Sequence, residues 1–112
     1  MKRYVAETIA TFFLIFCGTG AMVINTETGV VTHTGVAAAW GLIVAIMIFT
    51  YGRVSGAHMN PAVTIALTVV QLHSKKEVIP YLFAQVIGAF SASLLLQQLF
   101  PENELLGASL PQ

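Results

Sequence analysis

The residues able to do chemistry gather in one stretch, Ser55-Gly56-Ala57-His58-Met59-Asn60-Pro61-Ala62-Val63-Thr64. Asn60 is a good helix N-cap, and Pro61 suits the first helical position, where its missing N–H costs nothing. Proline also turns the residue before it away from helical backbone. A helix over 61–70 follows, apolar apart from Thr64 and Thr68. Its N-terminus carries about +0.5 of an elementary charge and unsatisfied N–H groups. Residues 56–59 read as an extended approach whose carbonyls lack helical partners, with Gly56 and Ala57 leaving room for close backbone contact. An amide donor, a positive helix tip and bare carbonyls can exchange hydrogen bonds with neutral hydroxylic molecules and repel cations.

Catalytic chemistry has little material elsewhere. The chain contains no Asp, and its three histidines (His33, His58 and His73) are scattered. No cluster suggests a metal site, no glycine-rich loop a phosphate or cofactor, and the expectation is no enzyme, no cofactor and no metal. Net charge is zero, with no basic and aromatic stripe, so nucleic acid is not an expected partner. Cys17 is the single cysteine, which excludes an intrachain disulfide and leaves a small buried hydrophobe.

The elements that must position the stretch are apolar helices. The 112 residues are 56% hydrophobic and 9% charged, outside the range of an ordinary soluble domain. Residues 4–24, 35–51 and 78–99 are each long enough, at ~1.5 Å per residue, to cross or nearly cross a ~30 Å hydrocarbon core. A helix over 61–70 reaches only about 15 Å. Between such spans its irregular approach must be buried in protein or line a watery cavity, and a re-entrant half-helix within about 54–71 meets both conditions. The expected fold is therefore an all-α membrane protein of three transmembrane helices plus one re-entrant half-helix. Residues 25–34 form a polar connector, residues 52–54 return the chain to an aqueous face, and residues 100–112 form an extramembrane tail.

Three features of the spans bear on function. Glu7 is an acidic side chain inside the first span, so it either snorkels to the interface or faces the bundle interior with a partner. Ala84, Gly88 and Ala92 recur every four residues in the third span, a small-residue face that lets helices approach, with Gln85 beside it as a cross-helix hydrogen-bond former. All five basic residues (Lys2, Arg3, Arg53, Lys75 and Lys76) fall on one side, while Glu27, Glu102 and Glu104 fall on the other. The positive-inside rule then puts the N-terminus in the cytoplasm and the C-terminus outside. Lys2-Arg3 before an apolar run ending at Cys17-Gly18 superficially suggests an export leader. Phe16 before the cleavage position and Glu7 within the apolar core argue against it, so the segment is expected to stay in the protein.

The stretch from Ser55 to Thr64 resembles the first signature loop of the aquaporin and glycerol-facilitator family. The likeness extends to Ala6-Glu7 and Gly18-Thr19-Gly20 in the first run, and to Ala84-Gln85 and Gly88-Ala89 in the third. It covers the N-terminal half of a family member. The resemblance implies a pore lined by Gly56, Ala57, His58, Met59, Asn60, Pro61 and Ala62, with half-helix dipoles excluding protons and cations, for which aquaporin-type pores are the established example. It also implies that Glu7 braces the loop, with His58 or Thr64 as the first partners to consider. Trp40, in the second span, stands where the family places an outer constriction residue. A Trp there is similar to glycerol facilitators and the nodulin-26-like branch and suits the carbon side of a small polyol; the alternative is an interfacial or lipid-facing Trp.

Family members are inverted repeats whose two half-helices meet at the midplane. The second signature loop is absent from this sequence, so the expectation is a channel component for water or small neutral solutes such as glycerol that needs a complementary half. The alternative is a non-conducting membrane subunit that associates with full-length relatives through Gly18, Gly88 and neighbouring small residues. Expected partners are the lipid bilayer, water and small neutral solutes, and a complementary C-terminal half or full-length relatives, a tetramer being among the assemblies the resemblance allows. The expected location is the plasma or inner membrane.

Overall fold

Hydrophobic runs punctuated by glycine and proline become four α-helices in the computed structural model, which describes residues 1–103. α1 spans Lys2–Thr28 and stops where Gly29 takes the left-handed conformation at φ 71°. α2 spans Thr32–Ser55 and ends the same way at Gly56, φ 87°. α3 is the short helix Pro61–Val69. A single 3₁₀ turn, Lys75–Glu77, leads into α4, Val78–Leu99. No strand occurs among the described residues. The tail expected over 100–112 falls largely outside them, and so does Glu104.

Three of these helices are long and apolar enough to cross a membrane by length and composition: Lys2–Thr28, Thr32–Ser55 and, with the 3₁₀ turn, Lys75–Leu99. The second differs from its sequence outline, since helix continues through Gly52, Arg53 and Val54 instead of leaving at Tyr51. Gly52 keeps helical backbone; Gly56 ends the helix because its missing Cβ makes the left-handed cap inexpensive.

α1 is the central element and packs against both α2 and α4, while α3 lies on α4. The α1–α4 crossing depends on the small-residue face. Ala84, Gly88 and Ala92 are all buried. A Cβ on Gly88 would run into the Thr8 carbonyl oxygen and stand 3.0 Å from the Phe12 nitrogen. At the other end of α1, a Cβ on Gly18 would strike the Trp40 indole, so absence of a side chain there seats the ring. Both glycines expected to mediate association with other chains are thus engaged within this one. The starts of α1 and α4 lie side by side: Arg3 pairs with Glu77 at 3.5 Å, and the Tyr4 hydroxyl donates to the same carboxylate.

Candidate functional site

The segment between α2 and α3 is built around Glu7. Its carboxylate is 0% exposed. It accepts from Ser55 Oγ at 2.7 Å and the His58 backbone N–H at 3.0 Å on one oxygen. The other oxygen accepts from the Met59 backbone N–H and Gln85 Nε2, both at 3.0 Å. A carboxylate offers only acceptors and these are four donors, so every contact is complementary. Snorkelling is excluded by the burial. Of the two partners first considered, His58 bonds Glu7 through its backbone N–H, while Thr64 makes no direct hydrogen bond to it.

Thr64 stands one bond further out. Its Oγ1 accepts from Gln85 Nε2 at 2.9 Å and lies 2.9 Å from His58 Nδ1. A hydroxyl has one proton to give and two lone pairs to accept with, so Thr64 bonds both partners whichever nitrogen carries the His58 proton. The ring folds back under Gly56, where a Cβ would stand 3.0 Å from Nε2. It also meets His73 and Tyr81 at centroid distances of 4.7 and 4.9 Å. Tyr81 closes the floor by donating its hydroxyl to the Ser55 carbonyl at 2.6 Å.

This bracing changes the backbone from the extended approach expected over 56–59. Gly56, Ala57 and Met59 all have positive φ, at 87°, 49° and 56°. Two adjacent N–H groups, those of His58 and Met59, must turn the same way to reach one carboxylate, and alternation into the left-handed region is how a backbone does this. For Ala57 and Met59 that conformation costs about 1 kcal/mol or more each, which the buried charge-assisted hydrogen bonds offset. No hydrogen bond among the described residues ends on the carbonyls of Gly56, Ala57, His58 or Met59. Ala57 and Met59 join Ala10, Ile43 and Met47 in one apolar cluster, which fixes the loop against α1 and α2.

Asn60 then starts α3. It is extended, and its side chain accepts from the Ala62 N–H at 2.7 Å. Because Ala62 is a donor, the atom facing it is Oδ1, and the amide NH₂ of Asn60 projects the other way. Asn60, Pro61 and Ala62 are exposed on the open side of the chain. A cavity of about 370 Å³ lies there, lined by Thr11, Trp40, Met59, Asn60, Pro61 and Gln85 among others. Trp40 and Asn60, remote in sequence, therefore share one cavity wall. The sequence reading gave Ser55 and Tyr81 no role. Both are polar groups adjoining the loop in otherwise apolar surroundings, which was the available clue.

The family model described as major intrinsic protein matches residues 1–111. Aquaporin NIP1-2 of Oryza sativa subsp. japonica is 46% identical over 96 residues, 85% of this chain and 32% of the relative. The probable aquaporin NIP-type of Nicotiana alata is 43% identical over 100 residues, covering 89% and 37%. Nodulin-26 of Glycine max is 38% identical over 104 residues, covering 92% and 38%. The chain thus spans about a third of the length of the curated relatives it matches. A braced loop, a capped short helix and three membrane-length helices accompany a family match over nearly every residue: this chain is an integral membrane protein and belongs to the major intrinsic protein family.

Proposed function

We propose that the chain supplies one wall and one half-helix of a channel for water and small neutral solutes such as glycerol. α3 enters as a re-entrant helix with its positive end near the bilayer midplane. Asn60 is the amide donor at that tip, and Gly56, Ala57, His58 and Met59 supply the acceptor row, with Pro61 and Ala62 at the junction. Glu7 and Thr64 brace the loop, and Trp40 supplies apolar lining to the cavity that Asn60 also lines. The observation that carries this reading is the Asn60 cap on a cavity wall, at the end of a loop held by a buried carboxylate with four donors. The relatives named aquaporin support it.

Orientation follows the charges. Lys2, Arg3, Arg53, Lys75 and Lys76 sit at the loop-bearing ends of the helices, which the positive-inside rule assigns to the cytoplasm. On this reading the complementary half covers the exposed face of Asn60, Pro61 and Ala62, since a bare amide and helix end facing lipid would be expensive. The membrane is the plasma or inner membrane, and the assembled form is open to tetramers as well as simpler complexes.

Proteoliposome shrinkage under an osmotic step tests this. The chain alone gives no water or glycerol flux above the lipid background, and co-expression with a complementary half raises it. Flux from the chain alone refutes the need for a second half. No flux in either preparation selects the non-conducting subunit. Free labelling of an Asn60→Cys variant from bulk water, without a complementary half, removes the re-entrant placement.

A further inference from the structure

Thr11 and Gln85 each carry one buried polar atom outside the bracing hydrogen bonds, and both residues line the cavity. Thr11 is 3% exposed and Gln85 is 2% exposed. Thr11 Oγ1 and Gln85 Oε1 have no hydrogen-bond partner among the described residues. Neither is free to turn away. Gln85 Nε2 donates to the Glu7 carboxylate and to Thr64 Oγ1, so the amide cannot flip without aiming an oxygen at a carboxylate. Thr8, Thr26, Thr28, Thr50 and Thr68 each donate to the carbonyl four residues earlier. Thr11 does not, and its hydroxyl is left for the cavity it lines.

Thr11 and Gln85 both stand at the α1–α4 crossing. A Cβ on Gly88, one turn after Gln85, would stand 3.1 Å from Thr11 Cβ. A carbonyl oxygen needs a donor, and a hydroxyl both gives and takes, so one small molecule with two donors and two acceptors satisfies the pair. Leaving them unmet in an apolar bundle costs far more than immobilising a water. Polar partners are what separate a wet cavity from a dry one. We propose that Thr11 Oγ1 and Gln85 Oε1 hold a resident water molecule between α1 and α4, on the cavity wall beside Asn60.

The site stands whether or not the chain conducts, so its test uses no flux measurement. Isotopically labelled chain in phosphatidylcholine nanodiscs is examined by water-edited solid-state NMR. Water magnetisation is expected to reach Thr11 Cγ2 and Gln85 Nε2 well before the equally buried Ala10 and Ala92. Thr11→Val should abolish the early transfer to Gln85 and lower the unfolding midpoint by about 4 °C or more, whereas Thr11→Ser keeps both near the parent values. A dry pair gives the opposite sign, because valine fills the same volume and removes an unsatisfied hydroxyl, so the midpoint holds or rises. That result, or no early transfer in the parent chain, overturns the proposal. If Thr11→Val fails to fold, the parent spectrum and Thr11→Ser decide it.

Discussion

Replacing Glu7 by glutamine changes one oxygen to NH₂ and little else in shape, which makes it the sharpest test of the brace. With the remaining oxygen at the Oε1 position, Met59 N–H and Gln85 Nε2 keep an acceptor. The new NH₂ then faces Ser55 Oγ and the His58 N–H. Ser55 can rotate, since its hydroxyl has the Tyr51 carbonyl at 3.4 Å as a poor second choice. The His58 N–H has none. The reverse amide orientation strands Met59 instead. One stranded buried donor costs about 1–3 kcal/mol, and the surviving bonds weaken by about 1 kcal/mol each on losing the charge. The sum, roughly 3–5 kcal/mol, is a large part of a typical 5–15 kcal/mol stability. Thermal unfolding followed by circular dichroism in micelles should show a midpoint fall of more than ~10 °C. Hydrogen exchange at the His58 and Met59 amides should quicken by about 100-fold. A variant within a degree or two of the parent, with both amides still protected, would mean that the loop is held by its apolar contacts and the brace is incidental.

Other expectations follow from the same geometry. Gly88→Ala forces α1 and α4 apart because the obstruction is backbone, so the midpoint should fall by an amount matching about 1–3 kcal/mol, while Ala at the exposed Ser91 leaves it unchanged. Equal behaviour of the two would contradict the crossing. Asn60→Ala removes the cap on α3 and should cost about 1 kcal/mol, with Asn60→Asp restoring stability in chemical denaturation but not permeation in the completed channel. Recovery of flux by the aspartate would show that the amide donor has no role at the tip. Trp40→Phe in the completed channel should lower glycerol permeation relative to water, measured as a swelling ratio; an unchanged ratio takes the indole off the pore wall.

Helix existence was legible because long apolar runs have few alternatives, and the α3 start was legible because Asn60-Pro61 is a local cap with a local cause. The end of α2 was misplaced by several residues. Gly52 and Arg53 look like a return to water, but helix ends are set by which glycine takes the left-handed cap, and that choice was made at Gly56. The loop conformation was missed for a non-local reason. Ala57 and Met59 favour extended backbone by themselves, and only a carboxylate some fifty residues earlier turns their chain over. Gln85 stood out as a polar side chain in an apolar span, yet nothing in its spacing said that it would touch Glu7 and Thr64 together.

The brace has a temporal side. Its parts are drawn from α1, from the end of α2, from the loop itself and from α4, so the last of them, Gln85, leaves the ribosome well after the loop does. Until then nothing on α4 can complete the network around Glu7 and Thr64. The loop is therefore the last part of this unit to settle, and until α4 arrives its polar groups stand unfinished.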